Sequence, residues 1–298
     1  MKRALFVLVL LTLCCLIALA IQFMQDTNSG SALPLAEFSI PKNIQYSYTL
    51  QNKTNRVIEK AELWAHAPVK ETASQRCQDL TANYPFQLST DRHGNQVLHF
   101  TFEKLAPYAS RIITVKANLM VSRTANPIAA APEASDLLPE KYVESDHPAI
   151  RRAAAELHES DAIQTINTMF RWVAGHVSYS GYAAPDRGAL YALEHKKGDC
   201  TEYMDLFVAL CRANGLSARR IGGYIIPENA VLKARDYHNW GEFYGDGTWQ
   251  IADPQNKVLM QNQADYIAMR IIRASADSPL GTYNRFRVKG EGLKAKMN

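Results

Sequence analysis

Cysteine is scarce in this chain and is not arranged in pairs. The five cysteines among 298 residues form no CxxC or CxxH spacing, which argues against a structural zinc site and against a fold built on disulfides. Charge of one sign is scarce as well. Lys and Arg number 33 against 29 Asp and Glu, a net charge of +4 scattered along the chain. With no basic face or arm, no nucleic-acid partner is expected. Internal repeats and low-complexity tracts are absent. What remains is ordinary globular composition, 47% hydrophobic and 21% charged, in a length that suits one large domain or two small ones.

The N-terminus carries an export pattern. Lys2 and Arg3 precede an uncharged apolar run from Ala4 to Ile21, and Ala18-Leu19-Ala20 fits a small-x-small cleavage site. The run is close to the length that spans a bilayer, so residues 1–25 are expected to be a signal peptide or a membrane anchor. Either one places the rest of the chain outside the cytoplasm, periplasmic or secreted, with anchoring to the inner membrane left open. Removal of a signal would leave Cys77, Cys200 and Cys211, an odd number with at least one unpaired thiol.

From about 33 to 122 the pattern has period two. Ile44, Tyr46, Tyr48 and Leu50 alternate with polar residues, and Ala61, Leu63 and Ala65 repeat the theme. It continues in Leu98, Phe100 and Phe102, and again in Ile113, Val115, Ala117 and Leu119. Short strands without helical stretches between them predict an all-β sandwich. The Ala- and Pro-containing stretch 123–141 reads as an extended linker. Helical periodicity then begins. Asp146 is a candidate N-cap before Pro148, for a helix to about Leu157. A second helix is expected from Asp161 to Ala174 with Ile163, Ile166, Phe170 and Val173 on one face, and a third, short one over Ala189–His195. A catalytic domain over 142–275 and a basic tail over 276–298 complete the division.

Chemistry concentrates between Lys196 and Gln255. Tyr203, Leu206, Phe207, Leu210 and Cys211 form the buried stripe of an amphipathic helix. Gly215 stands where a residue of positive φ ends such a helix. Cys211 falls in the stripe. Cys200 falls outside it, in the first turn behind Gly198, where free backbone N–H groups and the helix dipole favour a thiolate. Downstream, Asp246-Gly247 predicts a two-residue hairpin turn. That register sets Gly245 opposite Thr248 and Trp240 opposite Asp253, and leaves His238 diagonal to Asp253 on one face. A nucleophile at a helix N-terminus, a base, and a carboxylate that orients the base are the parts thiol catalysis needs. As metal ligands the same three residues lack close spacing, and neither a metal nor any other cofactor is expected.

Gly198-Asp199-Cys200-Thr201-Glu202-Tyr203, Leu210–Arg219, Gly222-Gly223-Tyr224, His238-Asn239-Trp240-Gly241-Glu242 and Trp249–Pro254 follow one another in an order that resembles the bacterial transglutaminase-like superfamily. The resemblance covers about 146–275. It implies an α+β fold, a papain-like transglutaminase core with helices packed on an antiparallel sheet, here preceded by the β-sandwich. It also implies a catalytic triad of Cys200, His238 and Asp253, with Tyr179 or Tyr182 as candidates to complete the oxyanion hole. Ser217, Asn239 and Gln255 depart from the usual proline, alanine and threonine of that family. Thr201 stands where animal enzymes carry an aromatic residue, and no acidic cluster suggests their calcium sites; both features argue against protein cross-linking. The expected activity is attack on amide bonds, peptide or isopeptide, through an acyl-enzyme, with hydrolysis favoured over transamidation and a peptide or protein as substrate. The alternative is a catalytically silent binding or scaffold protein of the cell envelope.

Overall fold

Alternating burial along the first long strand sets the architecture: Ile44, Tyr46, Tyr48 and Leu50 are inward and almost fully buried, as a strand with one face on a core requires. The computed structural model describes residues 37–127, 131–183, 185–273, 280–281 and 285–298. The apolar run expected as a signal or anchor lies outside these residues. No helix among the described residues is long and apolar enough to cross a membrane.

The elements run, in chain order, β1 (Ile40–Asn52), β2 (Ile58–Ala67), β3 (Gln75–Ala82), β4 (Gln87–Thr90), β5 (Gln96–Leu105), β6 (Ser110–Val121), α1 (Pro148–Glu156), α2 (Ala162–His176), β7 (Ser178–Tyr179), α3 (Ala189–His195), β8 (Lys197–Gly198) and α4 (Cys200–Ala213). They continue with β9 (Ala218–Ile225), β10 (Ala230–Val231), β11 (Tyr237–Gly245), β12 (Thr248–Asp253), β13 (Val258–Leu259), β14 (Tyr266–Ile272), β15 (Phe286–Lys289) and β16 (Leu293–Met297). The fold is α+β.

Two sheets make the sandwich. One has the order β10-β1-β6-β3 with β16 also on β1, and the other β15-β2-β5-β4. Tyr46, Leu50, Leu63, Phe100, Val115 and Leu119 fill the space between them, and Tyr224, Ile226, Ile267 and Met269 join the same core. A third sheet, β13-β12-β11-β9-β14, carries the helices; Ile166, Phe170, Leu206, Phe207 and Leu210 pack there with Phe243 and Ala252.

Three expectations about boundaries change. Residues 276–298 do not trail away as a basic tail: β15 pairs with β2 and β16 with β1. Leu293 and Met297 turn inward while Lys294 and Lys296 face solvent, so the lysines conceal a period-two strand. The later part of the expected linker, 131–141, is tied to the catalytic region by ion pairs. Asp136 pairs with Arg273 at 2.7 Å, and Glu140 pairs with Arg212 at 2.8 Å and Arg220 at 2.6 Å. Residues 36–298 accordingly cluster as one unit. The N-cap of α1 is His147, whose Nδ1 accepts the Ala149 N–H at 3.2 Å. Pro148 occupies the first helical position, so the cap is the residue directly before it, and Asp146 stays exposed.

Candidate active site

Helix α4 starts abruptly because its first turn is capped from both directions. The Asp199 carboxylate accepts the Thr201 N–H at 2.8 Å, and the Glu202 carboxylate accepts the Asp199 N–H at 2.9 Å. This reciprocal pair satisfies two donors that a helix start leaves open. Glu202 also takes the Arg187 backbone N–H at 3.0 Å and its guanidinium at 2.9 Å. Only glycine fits before this turn: a Cβ on Gly198 would lie 2.4 Å from Glu202 Cβ. Cys200, half-buried, is thereby fixed as the first residue of α4.

The helix is buried far beyond one stripe. Every residue from Thr201 to Arg212 is buried, including Asp205 and Arg212. Helices pack on one side and the sheet on the other: Arg212 pairs with Glu140 inside, while Asp205 faces Arg220 at 3.5 Å without a hydrogen bond, and burial drives its carboxyl well above the ordinary range. The helix ends at Ala213 and is capped by Asn214, with Gly215 at φ +73°.

The hairpin folds in the register its turn predicts. Asp246 and Gly247 have φ of +50° and +77°, as a type I′ turn requires. Gly245 faces Thr248 and the pairing runs on to Gly241 opposite Ala252. His238 Nε2 then lies 2.7 Å from Asp253 Oδ2. The carboxylate receives three further hydrogen bonds: Asn256 N–H to Oδ1 at 3.2 Å, Asn256 Nδ2 to Oδ2 at 2.8 Å, and the Tyr266 hydroxyl to Oδ2 at 3.0 Å.

Electrostatics follow from this geometry. Burial favours a neutral His238 ring, yet hydrogen bonds to Asp253 and Cys200 and their charges together raise its pKa to about 9. Burial pushes the Asp253 carboxyl up, and His238 and Asn256 outweigh it, holding the group below its ordinary value. Burial drives the Cys211 thiol far above the usual range and raises Cys77 to about 11. Cys77 sits in β3 of the sandwich and Cys211 deep in α4.

Cys200, His238, Asn239, Tyr179 and Tyr182 line one cleft of about 660 Å³. Tyr179 belongs to the short parallel pair β7–β8 and sits opposite Gly198. Tyr182 is the more exposed of the two, at 81% against 60%. Asn256 and Tyr266 join the site without a place among the residues expected from sequence. Asn256 had a signal in the turn-forming Asp-Pro-Gln-Asn run; Tyr266 had none, because only the sheet brings it to Asp253. Among the described residues no group of three or more His, Cys, Asp or Glu stands close enough to hold a metal ion.

A candidate cysteine protease from Cytophaga hutchinsonii is 16% identical, with a TM-score of 0.56 over 87% of this chain and 92% of its own; the two share a fold. The periplasmic domain of TgpA from Pseudomonas aeruginosa is 13% identical, with a TM-score of 0.40 over 71% of this chain and 88% of its own. Red sea bream transglutaminase is 14% identical, with a TM-score of 0.30 over 70% of this chain and 48% of its own. No curated protein sequence matches. Residues 151–254, which contain the start of α4 and the whole His238–Asp253 hairpin, match the model of the transglutaminase-like superfamily.

Proposed function

We propose that the chain is a thiol enzyme acting on amide bonds of peptides or proteins, with Cys200 as nucleophile, His238 as proton carrier and Asp253 as its orienting carboxylate. The observation that carries this reading is the His238 ring held between Asp253, at 2.7 Å, and Cys200 in one open cleft. Cys200 sulfur attacks the amide carbon while the imidazolium proton passes to the departing amine. This leaves a thioester and a free amine. Backbone N–H groups at the start of α4 face the developing oxyanion, with Tyr179 or Tyr182 as the side-chain donor. Water, deprotonated by His238, then attacks the thioester and releases the acid; an amine in place of water completes a transamidation.

Hydrolysis is favoured, because Thr201 occupies the position where animal cross-linking enzymes carry an aromatic residue. The Lys2–Ile21 pattern supports an activity exerted outside the cytoplasm. The test is intact-mass spectrometry of the protein mixed with a panel of peptide amides. An acyl adduct on Cys200 that decays to free acid supports the proposal. Transfer only to an added amine favours the transamidase, and no adduct with any amide leaves the binding or scaffold role.

A further inference from the structure

Asp253 is almost fully buried, and the donors around it are unevenly shared. Oδ1 takes one backbone N–H, from Asn256. Oδ2 takes three donors: His238 at 2.7 Å, Asn256 Nδ2 at 2.8 Å and the Tyr266 hydroxyl at 3.0 Å. A carboxylate that merely needed satisfying would spread its donors over the roughly four lone-pair sites of its two oxygens. Here they converge on the oxygen that holds the imidazole. Tyr266 comes furthest to do so. It opens β14, which β9 and β11 separate from β12 in the sheet. Its ring meets Trp240 edge-on at 5.1 Å, and Trp240 lies nearly parallel to the His238 ring at 6.4 Å. One side chain thus bears on both members of the pair.

We propose that Tyr266 is a positioning residue whose hydroxyl holds Asp253 Oδ2 toward His238 and sets how tightly the imidazole keeps its proton. The effect on catalysis rests on the thiol-enzyme reading; the effect on the imidazole does not. A donor on Oδ2 draws negative charge from the oxygen that stabilises the imidazolium. Removing that donor leaves the carboxylate a stronger partner for His238 and moves the imidazole titration upward. The titratable groups that bear on the ring are Asp253 from β12 and Cys200 from α4. Those that bear on Tyr266 are Asp253 and Asp265, and together with burial they keep its phenol protonated well above the ordinary range.

The test is a pH titration of the His238 ring in the full chain, read by nitrogen-15 NMR of labelled histidine. Tyr266→Phe removes one oxygen and is expected to raise the His238 midpoint by about half to one pH unit. Site-specific 3-fluorotyrosine at position 266, a stronger donor of the same shape, is expected to lower it, and this variant decides the matter should the Phe variant not fold. A midpoint unchanged from wild type in a folded variant overturns the proposal, because a purely structural tyrosine would alter melting without moving the titration. The titration needs no substrate. Slow alkylation of Cys200 in wild type would defeat the thiol-enzyme reading and leave this result standing, and the converse holds equally.

Discussion

His238 and Asp253 meet at 2.7 Å because they sit on the two arms of one hairpin. An even-numbered turn at Asp246-Gly247 keeps both side chains on one face. The pair meets Cys200 because α4 packs on that same sheet, with Phe207 against Phe243. The position of the sulfur is therefore set at the helix cap, and the position of the base at the turn.

The cap should be expensive to lose. Glu202 is buried and bonds the Asp199 N–H and both donors of Arg187. Glu202→Ala leaves these groups unpaired and should cost about 3 kcal/mol. Glu202→Gln keeps the cap acceptor and should cost roughly half as much. Chemical denaturation of the two variants checks the order.

Glu140 is the second buried anchor. Burial raises its pKa, and Arg220 and Arg212 overcome that and hold the carboxyl below the usual range. Glu140→Ala removes the shared carboxylate partner of two buried guanidinium groups and is expected to cost about 3 kcal/mol. A melting temperature close to wild type would show that the linker is not held there.

Stability should depend on pH through the hairpin pair. The His238 pKa is raised in the folded state, so its contribution is complete below the unfolded value of about 6.5. That contribution fades as pH rises through about 9. Asp253 is depressed, so its contribution is present above the unfolded value of about 3.9 and lost as pH falls through its lower folded value. The stability advantage of wild type over His238→Ala is therefore expected to be large at pH 6 and small at pH 9.5, by urea unfolding. An advantage independent of pH would contradict the assigned ion pair.

Much of this site is legible in the sequence because its parts are local. A cysteine behind Gly-Asp at a helix start, and a His and an Asp at matched distances from an Asp-Gly turn, need only helix and hairpin geometry. The period-two strands β1, β2, β5 and β6 are visible for the same reason. What stayed hidden depends on distant pairing. Tyr266 reaches Asp253 only through the order of the sheet, and β15 and β16 become strands only because β2 and β1 offer free edges. Asp205, Glu202 and Arg212 look like a solvent face until helices and linker cover them.

Cys211 separates packing from chemistry within one helix. It is fully buried in the α4 core, so Cys211→Ser places a hydroxyl among apolar neighbours and should cost about 1–3 kcal/mol. Cys200→Ser, at the half-buried cleft position, should change the melting temperature little. Melting curves of both variants make the comparison.

The most direct test of the account is the alkylation rate of each cysteine in the native protein at pH 6–7, read by mass spectrometry after brief iodoacetamide treatment. Cys200 is expected to label faster than Cys77 and Cys211, because it lies in an open cleft beside the His238 imidazolium. His238→Ala is expected to slow Cys200 and leave the other two alone. Labelling of Cys200 no faster than its neighbours, with no response to His238→Ala, would contradict the assignment of Cys200 as the nucleophile.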